Sequence, residues 1–509
     1  METKEMIETP RLRLRDSKPV QQVNRFIYSP YGIATLGALT LLAFMFSLEL
    51  VFYAIVAIYT IYVSFFADDL MPLMPLFVLC YVTPSINNNP GTNKSSFFHG
   101  TGGIVLVCLL VLALGALSVR LIMDKEIGFK KMFKTKRRFL ISLLVLSASY
   151  FLSGIGHPRY FDSALSNLLF AFMQFGSIFL LYFIFSSSVK WDKASIDYFA
   201  WFGLIMGLVV TAELGWVYIE IDGISKFLSG TSIRSLNLST GWGCRNNVGA
   251  LISMAIPFAF YFASKKKRSS VFLIIGCILL GAVVFSGSRA SILGGAFAFL
   301  VGAAYTFFKC NNKKEYRITT LVLVCVGALV GVASLIAFGD QIFAKVSGLV
   351  SKLFGGFDSA DQLSSGRLDI YLTGIRDVYL KYPIFGQSFF PLEDISGIYT
   401  EGHIKEIVSI IPPRWHNTVV QMLASCGTVG MLAYSYHRID TIIFYIKKRT
   451  VANNFIALSI LTMLLMSLLD CHFFNIGPVF FYSTALAVME FGIDRDKSLE
   501  KAEELIKSE

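Results

Sequence analysis

Charged residues are scarce in this chain. Asp, Glu, Lys and Arg make up 16% of its 509 residues, against about 25% in soluble globular domains. A domain that keeps its whole surface in water is thereby excluded. Histidine (six) and tryptophan (five) are also rare, so each position is informative. The eight cysteines show no Cys-x-x-Cys spacing, and Cys108, Cys277 and Cys325 fall inside apolar runs, where thiols act as small hydrophobes. A disulfide framework and a thiolate metal site are both disfavoured. Residues 1–29 are polar and basic, unlike a cleavable signal. No internal repeat is evident, and no soluble domain is expected at either end.

Apolar surface, by contrast, is abundant. The chain is 55% hydrophobic, with 46 phenylalanines and 22 tyrosines, and its mean hydropathy is +0.62. This is the composition of an integral membrane protein with aromatic residues facing lipid and headgroups. The net charge of +11 would suit nucleic acid in a soluble protein, but in a polytopic chain basic residues hold inner loops in place. No nucleic-acid partner is expected.

Spans of about 20 apolar residues fall near 31–48, 50–66, 70–86, 101–122, 139–156, 163–186, 198–218, 246–264, 270–287, 290–308, 318–338, 417–436, 453–470 and 474–493. The expected fold is therefore all-α and polytopic, with 12–14 transmembrane helices and one long external loop containing short helices. With both termini inside, 32 of the 45 basic residues lie on the inner side and 13 on the outer, the asymmetry that orients membrane helices. Four regions follow: helices over 1–338, an external catalytic loop over 339–415, helices again over 416–493, and a cytoplasmic tail over 494–509. In the loop, Ile342, Phe343, Val346, Leu349, Val350 and Leu353 recur at helical spacing, opposite Lys345 and Lys352, as in a helix lying on a membrane surface. A second helix should run from Arg367 to Leu380, ahead of Pro383.

Polar features converge on the outer side. Ser286-Gly287-Ser288-Arg289 is a tight turn whose arginine opens the next helix, and an arginine beside a helix N-terminus suits phosphate. The alternative is an arginine snorkelling to a headgroup. Ser365-Gly366-Arg367 opens the loop helix; a solvated charge or an ion pair with Asp369 is the plainer reading. Pro412-Pro413-Arg414-Trp415-His416-Asn417 halts the loop and starts a span, placing a titratable histidine at a helix mouth, where it serves as a cap or as a base. Glu213 lies within a span and Asp470 closes one; each is a packing or a site residue. Trp242, in Gly241-Trp-Gly, belongs either to the aromatic belt or under a sugar ring.

His416-Asn417, nine residues, Gly427, two residues and Gly430 together resemble the signature of the O-antigen ligase and polysaccharide polymerase superfamily. The Ser-Gly-Ser-Arg289 turn, the Gly366-Arg367 loop opening and Asn246-Asn247-Val-Gly-Ala-Leu ahead of Pro257 are similar to that family too, across roughly residues 200 to 440. The resemblance implies an inverting glycosyltransferase of the bacterial cytoplasmic membrane, needing no metal or other cofactor. It would transfer a glycan from undecaprenyl diphosphate to an acceptor hydroxyl on the outer leaflet. His416 would be the general base, with Arg289 and Arg367 holding the diphosphate. Arg414, Asn417, Ser288, Trp242 and Glu213 are the expected substrate-binding residues. Partners would be the lipid-linked donor, a glycan or lipid-glycan acceptor, membrane lipids and other polysaccharide-assembly proteins. Polymerisation of a surface polysaccharide is favoured over ligation to a lipid A core. A lipid-linked oligosaccharide flippase remains the alternative of another class.

Overall fold

The protein is described by a computed structural model covering residues 17–79, 101–192, 194–228, 236, 238–329, 332, 336, 367–390 and 414–492. Helices account for most of these residues, and the one β-ribbon among them pairs Ser239–Thr240 with Gly243–Cys244. The chain is an all-α polytopic membrane protein.

Besides the short helices Leu76–Leu79, Phe129–Lys134 and Gly223–Leu228, the helices in chain order are α1 (Lys18–Ile27), α2 (Pro30–Phe46), α3 (Glu49–Phe66), α4 (Thr101–Met123), α5 (Leu140–Phe151), α6 (Tyr160–Ser188), α7 (Ser195–Glu220), α8 (Arg245–Lys265), α9 (Ser269–Phe285), α10 (Arg289–Lys309) and α11 (313–329). After a gap come α12 (Arg367–Thr373, extended by a π-turn Gly374–Tyr379), α13 (Thr418–Lys447), α14 (Val451–Met466) and α15 (Ile476–Phe491). Among the described residues, α3, α4, α6, α7, α8 and α10 are long and apolar enough to cross a bilayer; α1 and α2, bent by 72°, add a seventh span if counted together. Helices α5, α9, α14 and α15 are apolar but shorter, at 10–17 residues. A helix rising 1.5 Å per residue needs about 20 residues to cross the hydrocarbon, so the higher sequence count includes these shorter helices.

Several spans depart from their expected limits, the one over 139–156 ending already at Phe151. Over 70–79 the chain forms a 3₁₀ turn and a four-residue helix where Pro72 and Pro75 interrupt the pattern. Helix α13 runs past position 436 to Lys447, because His437, Arg438 and Asp440 all find contacts inside the bundle. Helix α14 stops at Met466, which leaves Asp470 in a turn and not in a span. Helix α12 begins at Arg367 and ends before Leu380, as expected. The proposed surface helix over 342–353 lies outside the described residues.

Helix α8 is the centre of the bundle, buried without interruption from Val248 to Ser264 against α7, α9, α10 and α14. Close approach is possible because small residues line these contacts, as is usual where lipid gives no hydrophobic drive between helices. A methyl added at Gly207 would sit 2.3 Å from the Ala255 Cβ, and one at Gly249 would sit 2.6 Å from the Ser291 Cβ. The second contact seats the start of α8 against the start of α10, where Ser288 and Arg289 lie.

Helix α13 is broken at Gly427, whose φ of 63° and ψ of −158° fall where only glycine is at ease. The segment 383–388, exposed at Pro383 and Ile384 and buried from Gly386 on, crosses the break. Its Pro383 and Ile384 carbonyls accept from the Thr428 and Val429 amides at 2.7 and 3.1 Å, and its Gln387 and Ser388 amides donate to the Ala424 and Ser425 carbonyls at 2.8 and 3.1 Å. The backbone groups freed by the break are thus satisfied, as a low-dielectric setting requires. The polar character of 339–415 suggested an external loop throughout, yet this part of it is threaded into the bundle, with Phe389 and Phe390 packed on Phe170.

Candidate active site

The N-termini of α8, α10, α12 and α13 meet the α14–α15 turn at one end of the bundle. Asn417 is the N-cap of α13: its Oδ1 accepts from the Val419 and Val420 amides at 2.8 and 3.2 Å. His416 precedes it with φ +51°, a left-handed conformation that is costly for any residue with a Cβ. Several contacts hold it there. The Tyr371 hydroxyl donates to the His416 carbonyl at 2.8 Å, and the Trp415 amide donates to Gln421 Oε1 at 3.0 Å. The Trp415 ring is 4% exposed and packs with Val378 and Val420, clamping α12 beside the histidine.

The imidazole Nδ1 of His416 lies 3.4 Å from Asp470 Oδ1, at the long end for a hydrogen bond. Asp470 is 6% exposed. Its Oδ1 also accepts from the Cys471 amide at 2.7 Å, and its Oδ2 accepts from Asn246 Nδ2 at 2.6 Å, with Arg367 Nη2 at 3.9 Å. Burial by itself would raise the Asp470 carboxyl. The hydrogen bond to His416, the neighbouring charges of His472 and His416 and the Cys471 amide outweigh it and hold the group well below the usual carboxylate range. The site therefore contains a fixed anion behind a half-exposed imidazole.

The turn that carries Asp470 is stitched to the strip 414–418. Thr418 N donates to Ser467 O at 2.8 Å, Asn417 Nδ2 to Leu468 O at 2.8 Å, and Arg414 Nη1 to Cys471 O at 3.3 Å. Arg367 Nη1 donates to Leu469 O. On the far side, Asn246 joins Asp470 to the turn before α10, since its carbonyl accepts from Ser291 Oγ at 3.4 Å. There Ser288 caps α10: its Oγ accepts from the Ser291 amide at 3.4 Å and lies 2.9 Å from Ser291 Oγ. Arg289, the first residue of α10, is exposed.

Six of the eight expected site residues therefore gather here: His416, Asn417, Arg414, Arg367, Ser288 and Arg289. Glu213 and Trp242 form a separate pair. The Glu213 carboxyl is 0% exposed and Trp242 is 6% exposed; the carboxyl faces the Trp242 indole and the Gly241 amide with no hydrogen bond of good geometry to either oxygen. Asp470, which the sequence offered as a packing or site residue, occupies the centre. Sequence reasoning missed Tyr371 and His472. The latter is fully buried, and a histidine in the short gap between the apolar runs 453–470 and 474–493 was the available signal. Burial holds His472 below its ordinary value, and the Arg414 and Arg367 guanidiniums add to this against the attraction of Asp470. Burial also pushes the Cys471 thiol up to about 12, which leaves it protonated at neutral pH and unsuited to nucleophilic attack.

The fold and site define a polytopic membrane protein with arginines, a histidine and a carboxylate assembled at one end of its bundle. Residues 271–435 match the family model described as O-Antigen ligase, and this match supports the O-antigen ligase and polymerase superfamily, whose members are glycosyltransferase-like. It takes in Arg289, Arg367, Arg414, His416 and Asn417, but not Asn246 or Asp470. No curated protein matches the chain.

Proposed function

We propose that the chain is an inverting, metal-independent glycosyltransferase of the bacterial cytoplasmic membrane, polymerising surface polysaccharide on undecaprenyl diphosphate. The observation that carries this reading is the His416–Asp470 pair with Arg367 and Arg414 beside it, joined through Asn246 to the helix start that bears Arg289.

Asp470 accepts from Nδ1–H, so the lone pair of His416 Nε2 is left to take the acceptor's hydroxyl proton. The hydroxyl oxygen then attacks the anomeric carbon opposite the carrier, the bond from that carbon to the diphosphate oxygen breaks, and undecaprenyl diphosphate departs with the electron pair. Arg289, with the N-terminal amides of α10, and Arg367 offset the charge growing on the leaving group. Guanidinium groups in this role fill the place of a divalent cation. The excess of basic residues on the inner side supports cytoplasmic termini and an outward-facing site. The Gly241-Trp-Gly…Asn-Asn run and the Lys- and Asn-rich composition favour polymerisation over ligation.

The test is turnover in proteoliposomes with synthetic undecaprenyl-diphosphate oligosaccharide, wild type beside His416→Ala. Longer glycan with release of undecaprenyl diphosphate from wild type alone supports the proposal. Transfer only to an added lipid acceptor turns the reading to a ligase. Movement of donor between leaflets without release by either protein overturns it.

A further inference from the structure

Below the Asp470 turn, α13 carries a cation that the reaction outlined above does not use. The guanidinium carbon of Arg438 lies 4.2 Å from the centroid of the Phe473 ring, 4.6 Å from that of Tyr434 and 4.9 Å from that of Tyr482. Its Nη1 donates to the Tyr482 hydroxyl at 2.8 Å. That hydroxyl is also 2.6 Å from His437 Nε2, and His437 Nδ1 is 3.0 Å from Ser142 Oγ. Nε and Nη2 of Arg438 are buried without hydrogen bonds; the Tyr434 hydroxyl is near but out of bonding geometry.

Among the described residues no carboxylate pairs with Arg438. Asp440 pairs with Arg138 at 2.5 Å, and Glu490 accepts from the Tyr182 hydroxyl and the Arg138 amide. A cation inside a bundle without a counter-charge is expensive, and an apolar side chain of the same volume folds as well or better. Three rings around the guanidinium recover part of that cost. One of the three is the telling contact. Phe473 belongs to the 3₁₀ turn His472–Phe474, directly after Asp470 and Cys471, so Arg438 grips the turn whose carboxylate orients His416.

We propose that Arg438 is a positioning residue for glycosyl transfer: through Phe473 it fixes the turn that presents Asp470 to His416. The inference rests on the glycosyltransferase reading and is tested so that the two fail separately. Arg438→Met, Arg438→Lys, Phe473→Leu and the double variant Arg438→Met/Phe473→Leu are compared with wild type and His416→Ala in the proteoliposome assay, with thermal midpoints in detergent. Arg438→Met is expected to keep the wild-type midpoint or exceed it, to lose at least about tenfold in kcat and to hold donor KM within about twofold. Arg438→Lys, which keeps the cation in the box, restores part of kcat. Phe473→Leu reproduces the loss, and the double variant loses no more than the worse single variant, because both act through one contact.

Wild-type kcat in Arg438→Met, a loss confined to KM, or losses that multiply in the double variant would each overturn the proposal. Should Arg438→Met not fold, Arg438→Lys and Phe473→Leu decide on the same kcat criterion. If His416→Ala retains turnover, the underlying reading fails; if it is inactive while the Arg438 variants match wild type, only this inference does.

Discussion

Replacing Asp470 by asparagine separates the charge of this group from its size. The carboxylate takes four contacts: Asn246 Nδ2 at 2.6 Å and Arg367 Nη2 at 3.9 Å on Oδ2, and the Cys471 amide at 2.7 Å and His416 Nδ1 at 3.4 Å on Oδ1. A carboxamide has a single accepting oxygen. If its NH₂ faces Asn246, that side chain must rotate to accept, and His416 keeps a neutral acceptor. The loss is then the charge assistance of one hydrogen bond, about 1.4 kcal/mol or tenfold in rate. If the NH₂ faces His416 it donates to Nδ1, forces the proton onto Nε2, and removes the base altogether, costing about 10² to 10⁴. The Cys471 amide can only donate and would oppose an NH₂ placed at Oδ1, whereas Asn246 can turn its carbonyl to accept from one placed at Oδ2, so the first arrangement prevails and Asp470→Asn should lower kcat by about tenfold, with donor KM nearly unchanged, since no donor contact is assigned to Asp470. Initial rates of undecaprenyl diphosphate release across donor concentrations give both constants. A kcat within twofold of wild type, or a loss seen only in KM, would refute the reasoning and reduce Asp470 to a structural residue.

Other perturbations test separate parts of the structure. Arg289→Ala should nearly abolish turnover, and Arg289→Lys should recover little of it, since a point charge cannot reproduce a bidentate fork; steady-state rates of the two variants decide this. Gly427→Ala places a Cβ 2.4 Å from the Ile384 carbonyl oxygen in a backbone conformation reserved for glycine, and should cost more than about 3 kcal/mol, read as a large fall in thermal midpoint. Tyr371→Phe removes the hydroxyl that holds the His416 carbonyl and should lower kcat by about tenfold with little change in midpoint, the loss of roughly one hydrogen bond. His472 has a folded pKa below its unfolded value, so the unfolded chain binds the proton first: stability is full above about pH 6.5 and declines as pH falls toward the folded value, by at most about 1.4 kcal/mol per pH unit. Midpoints measured from pH 7.5 to 5 should fall less steeply for His472→Gln than for wild type.

Most of the fold is legible in the sequence because a bilayer imposes a simple rule: apolar runs of sufficient length become helices. The rule fails where polar groups are satisfied by protein instead of water. His437, Arg438 and Asp440 read as the start of an inner loop, yet Tyr482, Ser142 and Arg138 receive them within the bundle. Positions 383–390 read as part of an external loop, but the break at Gly427 exposes backbone groups that this segment and the Ser153 hydroxyl satisfy. The same limit explains the site. Arg289 and His416 could be singled out because each stands at the edge of an apolar run, where its type is unusual, and Arg367 through the resemblance carried by Gly366-Arg367. Asp470 could not be ranked above a packing residue, since its meaning depends on Asn246 and His416, distant in sequence and met only through folding. Arg438 was invisible for a related reason, since it acquires a role only from the rings packed against it, and His472 left only the weak signal of a polar residue between two apolar spans. The reading of this chain therefore depends on whether the buried carboxylate and the buried cation act through the half-exposed imidazole. The charge-neutral variants Asp470→Asn and Arg438→Met should then lower the same rate constant by similar routes, whereas two unrelated structural residues would affect midpoint and turnover independently.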